Sequence, residues 1–200
     1  MIVLVWLDLA RVIIAGVLLG LVVGKLVVRR PFHLQRLRPR FWRAAMRRMR
    51  RRHWVRLLTI ALWVTAASLV VSMVIGMLIP PEQMLNPREN PFTVIQQDYP
   101  WLLLVAVNVL PIFEEWVFRG IIIDEFVRWR KSKFWAVIVS AIIFAVFHLS
   151  NPGTYLAYTL PLIPAGLLLG VCYLKTGLGG AIIAHNSYNT FLVVIGVLMR

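Results

Sequence analysis

Apolar residues dominate this chain in long blocks, which are separated by shorter stretches that carry most of its charges. A block of about 20 apolar residues is long enough to cross the hydrocarbon core of a bilayer as an α-helix. Blocks of this kind lie at about residues 2–28, 57–79, 101–123, 134–150, 155–173 and 178–199. The pattern therefore predicts an all-α fold, a polytopic membrane helical bundle with about six transmembrane helices.

Composition supports the same class of protein. Of the 200 residues, 60% are hydrophobic, which is more than a soluble domain of this length buries, because average globular proteins are about half apolar. Cys172 is the only cysteine, so the sequence contains no disulfide framework and no thiolate metal site. The stretch that begins at Met1 is apolar and lacks the positive region of a signal peptide, so the first block is predicted to be a retained span.

The formal net charge of +14 comes mainly from one connector. Of the 22 Lys and Arg residues, 12 lie between Arg29 and Arg56, and the rest of the chain is nearly balanced. A basic connector between two spans is typical of a cytoplasmic loop. The charge therefore indicates membrane topology, and no nucleic-acid partner is predicted.

The other connectors alternate in charge. The connector 80–100 is net acidic, whereas the connector 124–133 and the turn at Lys175 are basic. Combined with six crossings, this alternation predicts a multi-pass protein of the cell membrane with its basic loops in the cytoplasm and both termini outside.

The basic connector, residues 29–56, also carries apolar residues at helical spacing. These are Trp42, Ala45, Met46 and Met49, with arginines on the opposite side. Such a pattern predicts an amphipathic helix that lies on anionic lipid. Anionic lipids at this loop are therefore a predicted partner.

The third block contains two adjacent carboxylates, Glu114 and Glu115, in the sequence PIFEEWVFRG. A charged group inside a bilayer is costly unless it is paired or lines a water-filled cavity. Glu115 and Arg119 lie four positions apart on one helix face, so we expect them to pair. Glu114 points about 100° away and has no partner in its own helix, which makes it the candidate functional carboxylate. Pro111 removes a backbone donor just before the pair and is expected to loosen the helix there.

Polar residues also interrupt the fourth and sixth blocks. The fourth ends in FAVFHLSNPG, which contains His148, and the sixth contains His185 and Asn189 four positions apart on one face. Counted from the basic ends of their helices at about 1.5 Å per residue, these residues and Glu114 lie roughly 12–22 Å deep. We therefore expect them to share one pocket within the membrane.

A carboxylate, two imidazoles and a carboxamide in a dehydrated pocket suit hydrolysis. The carboxylate can accept a proton from water, and imidazole and amide groups can donate hydrogen bonds to a developing oxyanion. Two histidines with one or two glutamates are also ligands that zinc takes, so a catalytic metal stays an alternative, although HExxH spacing is absent. Ser150 and Ser187 lie nearby, but neither has a base placed beside it as a nucleophile needs.

Three short motifs resemble the CPBP family, which contains the type II CAAX prenyl proteases and bacteriocin-processing enzymes and is also called Abi. The motifs are EExxxR (Glu114, Glu115, Arg119), FxxxH (Phe144, His148) and HxxxN (His185, Asn189), and they follow the order of the family over roughly residues 100–196. The resemblance implies an intramembrane endopeptidase of the glutamate type that uses no metal and no other cofactor.

The resemblance also implies a role for each candidate catalytic residue. It assigns activation of water to Glu114 and His148, stabilisation of the oxyanion to His185 and Asn189, and support of the first carboxylate to Glu115 with Arg119. The predicted substrate is a membrane-associated or lipid-modified peptide or protein. The sequence does not distinguish a prenylated terminus from a bacteriocin leader or a sorting tail.

The same resemblance divides the chain into two parts. Residues 1–100 are predicted to form two N-terminal spans with the cytoplasmic loop 29–56 and the external loop 80–100, and residues 101–200 a CPBP-like catalytic core of four spans. Two other functional classes stay open. One is a non-catalytic immunity or scaffold protein in which the polar cluster fixes helix packing, and the other is a proton-coupled transporter.

Overall fold

Long helices account for nearly all of the structure, a computed structural model that describes residues 2–198. It is 88% helical and has no β-strand within those residues, which confirms the predicted all-α class. Six helical segments are long and apolar enough to cross a membrane, namely Trp6–Arg29, Arg51–Leu78, Pro100–Arg130, Lys133–Ser150, Leu156–Thr176 and Leu178–Leu198. The chain is therefore a multi-pass membrane protein.

The third span is continuous but is not one uniform α-helix. Its α-helical parts, α7 (Pro100–Glu115) and α8 (Asp124–Arg130), are joined by a π-helical segment, π1 (Trp116–Ile123). Short 3₁₀ turns occupy His148–Ser150 and Leu156–Tyr158. The α-helices in chain order are α1 (Ile2–Arg29), α2 (Phe32–Gln35), α3 (Pro39–Arg48), α4 (Arg51–Leu78), α5 (Pro81–Met84), α6 (Pro91–Asp98), α7 (Pro100–Glu115), α8 (Asp124–Arg130), α9 (Lys133–Phe147), α10 (Thr159–Thr176) and α11 (Leu178–Leu198).

Local sequence explains where several helices begin and end. Proline occupies the first turn of α3, α6 and α7, where its missing N–H costs no helical hydrogen bond. Ser132 caps α9, because its hydroxyl accepts a hydrogen bond from the backbone N–H of Trp135 at 3.3 Å. Gly177 ends α10 with a φ of 75°, which glycine adopts without steric cost, and α11 begins at the next residue.

The predicted span boundaries differ from the observed ones at two arginine-rich ends. Helix α4 begins at Arg51 rather than at residue 57, and the third span continues to Arg130 rather than ending at residue 123. Arginine allows both extensions, because its long side chain carries the charge away from the apolar block. The last residue of the predicted sixth span, residue 199, lies outside the described residues.

The helix predicted in the basic connector is α3, which ends one residue before Met49. Its apolar side faces the protein. Trp42 packs against a buried cluster that includes Tyr173, and together with Ala45 and Met46 it lines a cavity of about 590 Å³. Contact between this helix and anionic lipid stays a prediction.

Helices α4, α9, α10 and α11 form the centre of the bundle. Helices α9 and α10 approach closely, because a Cβ atom at Gly166 would lie 3.0 Å from the Cα of Ala141 and one at Gly170 would lie 2.8 Å from the side chain of Val137. Small residues permit such close backbone contact between membrane helices. Helix α4 packs against α10 and α11. The division of the chain into two parts at residue 100 stays a prediction.

Helix α1 is attached near its start to the turn 151–154. A carboxylate oxygen of Asp8 accepts a hydrogen bond from the N–H of Gly153 at 3.2 Å, and Arg11 donates to the carbonyl of Thr154 at 3.4 Å. Asp8 and Arg11 also pair with each other. An apolar cavity of about 1020 Å³ lies between the middle of α1 and the helices π1 and α9.

Candidate active site

The two adjacent glutamates lie where the third span changes from α-helix to π-helix. Helix α7 ends at Glu115, and π1 begins at the next residue. Pro111 lies inside α7 about one turn earlier, where it removes a backbone donor. π-Helical segments are rare and occur frequently at functional sites. The third span was expected to loosen near Pro111, and it changes from α-helix to π-helix immediately after the two carboxylates.

Glu114, His148 and His185 meet in one cluster, as their predicted depths suggest. Oε2 of Glu114 lies 3.9 Å from Nε2 of His148 and 3.8 Å from Nε2 of His185. The three side chains come from α7, from the 3₁₀ turn after α9 and from α11. The distances exceed those of hydrogen bonds, so both imidazoles face the same carboxylate oxygen without being bonded to it.

Glu115 lies on the buried side of this cluster and joins two of its neighbours. Its Oε1 lies 2.9 Å from Nη1 of Arg119 and 2.9 Å from Nδ1 of His185. The expected pair with Arg119 is therefore present. The resemblance implied that Glu115 supports Glu114, but its close contacts are with His185 and Arg119. Successive helical residues point about 100° apart, and the two carboxylates accordingly face different nitrogens of His185.

Arg119 is fully buried, and three groups compensate its charge. It forms the ion pair with Glu115, its Nη2 donates to the carbonyl of Gly166 at 3.2 Å, and its guanidinium lies 4.5 Å from the ring centre of Phe144. Buried ion pairs persist only where further contacts of this kind offset desolvation. Arg119 therefore provides a counter-ion for Glu115, whose carboxylate also contacts His185.

Hydrogen-bond acceptors determine the tautomer of both histidines. Nδ1 of His148 lies 2.8 Å from the carbonyl oxygen of Phe144, and Nδ1 of His185 contacts the carboxylate of Glu115. Carbonyl and carboxylate oxygens only accept hydrogen bonds, so the network places the hydrogen on each Nδ1. In its neutral form, an imidazole with this tautomer presents an unprotonated Nε2 to Glu114. A histidine of this cluster must gain a proton at Nε2 before it can donate from that atom.

Asn189 lies one helical turn beyond His185 on α11 and is half-buried. Its side chain makes no hydrogen bond within the part of the chain that the structure describes. The amide is therefore available to another group, and its role at the oxyanion stays a prediction.

Sequence reasoning missed a second polar network beside the cluster. Nδ2 of Asn108 donates to the hydroxyl of Thr190 at 3.0 Å, and Nδ2 of Asn186 donates to the carbonyl of Asn108 at 3.0 Å. These bonds join α7 to α11 beside the candidate residues that the two helices carry, Glu114 and His185. The available signal was the presence of carboxamides in apolar blocks, because such residues often hydrogen-bond between membrane helices.

Two other kinds of chemistry were weighed from the sequence. Within residues 2–198, no group of three His, Cys, Asp or Glu residues is arranged to hold a metal ion, and the zinc alternative remains untested. Ser150 donates its hydroxyl hydrogen to the carbonyl of Phe147 at 2.7 Å, and Ser187 is exposed. Neither serine is hydrogen-bonded to an imidazole of the cluster.

The fold and the cluster together define a class of protein, a multi-pass membrane protein with an ionisable site inside its helical bundle. A family model described as Type II CAAX prenyl endopeptidase Rce1-like matches residues 96–191. This segment contains all three motifs, and the match confirms the family that they predict. Through this segment, which is just under half of the chain, the protein is similar to the type II CAAX prenyl endopeptidase family.

The family is one of proteases, which supports a peptidase activity as the general class of function. A comparison with curated proteins gave no match, and neither did a comparison with solved structures.

Proposed function

We propose that this protein is an intramembrane endopeptidase that hydrolyses a peptide bond through a water molecule activated by Glu114. The observation that carries the proposal is the convergence of one carboxylate oxygen and two imidazole Nε2 atoms, at 3.8 and 3.9 Å, from three membrane-spanning segments. Ionisable groups are costly within a membrane and usually mark a functional site there. The match of residues 96–191 to a protease family model supports the reaction class.

Glu114 acts as the general base in this mechanism. Its side chain is 25% exposed, whereas that of Glu115 is fully buried in the pair with Arg119. Glu114 takes a proton from water while the water oxygen attacks the carbonyl carbon of the peptide. The same proton then passes to the leaving nitrogen, so that one water and one peptide bond give a carboxyl group and an amine.

The oxyanion that develops on the peptide carbonyl needs a hydrogen-bond donor. Since Nδ1 of each histidine already carries a hydrogen, a histidine can donate to the oxyanion only from an Nε2 that has gained a proton. His185 is proposed for this role because Glu115 lies against its Nδ1, and Asn189 adds an amide donor.

His148 is the second proposed contact of the attacking water. Its Nδ1 is held by the carbonyl of Phe144, so its Nε2 is oriented toward Glu114 without help from a second carboxylate. A neutral imidazole in this orientation accepts a hydrogen bond from the water that Glu114 deprotonates.

The proposed substrate is a membrane-associated or lipid-modified peptide or protein, and no cofactor takes part. The bilayer is the second proposed partner. Arg40 and Arg47 of the basic connector are exposed, which suits contact with anionic lipid on the cytoplasmic side.

The proposal is tested with Glu114→Gln in protein reconstituted with membrane-tethered peptides, the products being measured by mass spectrometry. We expect cleavage to fall at least about a hundredfold, with the thermal unfolding midpoint unchanged. Glu89→Gln, which alters an exposed glutamate in another connector, serves as the control. Retained cleavage rejects Glu114 as the base. A wild-type protein that cleaves no peptide supports the immunity or scaffold class, and cleavage that a chelator abolishes and zinc restores supports the metal alternative.

A further inference from the structure

The end of π1 departs from the hydrogen-bond pattern of an α-helix. The backbone N–H of Asp124 donates to the carbonyl of Ile121, whereas in an α-helix it would donate to Gly120, four residues earlier. The buried carbonyl of Gly120 thereby loses its α-helical donor. A carbonyl oxygen has two lone pairs, so a side chain can donate to it here whatever backbone bond it accepts.

Arg36, from the basic connector, supplies that donor. Its Nη1 donates to the carbonyl of Gly120 at 2.6 Å and to the hydroxyl of Tyr173 at 3.3 Å, and its Nη2 donates to Oδ2 of Asp124 at 2.7 Å. The planar guanidinium thus bonds π1 and the first residue of α8 at once, as only arginine can in this geometry. Although burial opposes its charge, the neighbouring Tyr173 and Asp124 raise the pKa of Arg36 above its ordinary value.

Gly120 is the residue that permits this approach. A Cβ atom at position 120 would lie 3.2 Å from Nη1 of Arg36, which is closer than ordinary van der Waals contact. Glycine is otherwise a poor residue within a helix. Its presence between the two adjacent glutamates and the run Ile121–Ile123 is explained by the guanidinium that lies against it.

The connector holds the other end of π1 as well. Nε1 of Trp116, the first residue of π1, donates to the carbonyl of His33 at 2.9 Å. The imidazole of His33 is fully buried and lies 2.9 Å from Oε1 of Glu125 in α8. Both ends of the π-helical segment are therefore bonded to a part of the chain that precedes the family-matched segment.

We propose that Arg36 is a positioning residue for the catalytic helix. By bonding Gly120 and Asp124 it fixes the π-helical register, and this register sets the directions of Glu114 and Glu115, which immediately precede π1. A small rotation of that segment would carry Glu114 away from the two imidazoles. The inference rests on the proposed proteolysis, and it makes the basic connector part of the apparatus that supports the site.

The first test compares Arg36→Gln with Arg43→Gln in the reconstituted protein. Both variants lose one positive charge from the same connector. They differ in that Arg43 is exposed and has no hydrogen bond or ion pair among the described residues. We expect Arg36→Gln to lower kcat at least about tenfold while KM changes less than about twofold. Arg43→Gln should retain wild-type kcat, and Arg36→Lys should recover part of the loss. Equal kcat values in Arg36→Gln and wild type overturn the proposal.

Gly120→Ala provides an independent variant if Arg36→Gln does not fold. Alanine favours helix more than glycine does, so a loss of kcat would come from displacement of the guanidinium. We expect a loss similar to that of Arg36→Gln, and the double variant should be no slower than the slower single variant. Losses that multiply in the double variant would show two independent effects and reject the contact as their cause.

Hydrogen–deuterium exchange separates this inference from the proposed function. The amides of residues 116–124 should exchange at least about tenfold faster in Arg36→Gln and Gly120→Ala than in wild type or Arg43→Gln. Unchanged exchange rejects the positioning role whether or not the protein cleaves peptides. If the two variants exchange faster but the wild-type protein cleaves no peptide, the effect of Arg36 on π1 stands and the proposed proteolysis is rejected.

Discussion

At the scale of single residues, the two neighbouring glutamates have different environments. Glu114 is partly exposed and faces two imidazoles at distances beyond a hydrogen bond, whereas Glu115 is fully buried between Arg119 and His185. The first arrangement leaves a carboxylate free to exchange a proton with a bound molecule. The second stabilises a buried positive charge and orients an imidazole. Of the two adjacent carboxylates, one is therefore partly exposed without a close partner, and the other is buried and paired.

This difference predicts that the same substitution affects stability strongly at one position and weakly at the other. Glu115→Gln should lower the free energy of unfolding by about 3–5 kcal/mol, because it leaves the buried Arg119 without a counter-ion. Glu114→Gln should change it by less than about 1 kcal/mol, since no close bond is lost. Denaturant unfolding in one detergent measures both variants. Equal stabilities would show that the pair of Glu115 and Arg119 does not stabilise the fold.

Part of the site could be predicted because it depends on spacing within single helices. The pair of Glu115 and Arg119 follows from their separation of four residues. The contact of Glu115 with His185 depends on how α7 and α11 are rotated relative to each other, which periodicity along one helix does not determine. The approach of Arg36 to Gly120 was likewise beyond prediction, because it joins segments 84 residues apart in the chain.

At the scale of helices, the close contact of α9 with α10 connects packing to the site. Gly166 lies where α10 meets Ala141 of α9, and its carbonyl accepts the hydrogen bond from Arg119. Apolar blocks predicted that these helices exist, and the structure shows why a glycine lies within one of them. The π-helical character of π1 was not predicted, because apolar periodicity does not distinguish a π-helix from an α-helix over so few residues.

Gly166→Ala is therefore expected to destabilise the protein by about 1–3 kcal/mol, because the new Cβ would press on the backbone of α9. Gly76→Ala in α4 is the matched control, since no atom lies within 4 Å of a Cβ built there. Thermal unfolding of both variants provides the measurement. If Gly166→Ala is as stable as Gly76→Ala, α9 and α10 have room to separate and the close contact is not required.

At the scale of the whole molecule, polar contacts group the connectors on two sides. The basic connector and α8 meet where Nε of Arg30 lies 3.1 Å from Oε2 of Glu125. At the opposite ends of the spans, Asn86 of the acidic connector donates its backbone N–H to the carbonyl of Gly153 at 2.6 Å, and Asp8 bonds the same turn. This separation of the connectors into two groups agrees with an alternating topology. Which of the two groups faces the cytoplasm stays a prediction from charge.

Labelling with a membrane-impermeant maleimide tests this orientation. In a Cys172→Ser background, Glu89→Cys and Arg43→Cys each place one thiol at an exposed position in a different connector. The acidic connector is predicted to be external, so Glu89→Cys should be labelled in intact cells. Arg43→Cys should be labelled only after the membrane is permeabilised, because positive loops are retained in the cytoplasm. The reverse pattern would place the basic connector outside, and would also remove the anionic lipid of the inner leaflet as its partner.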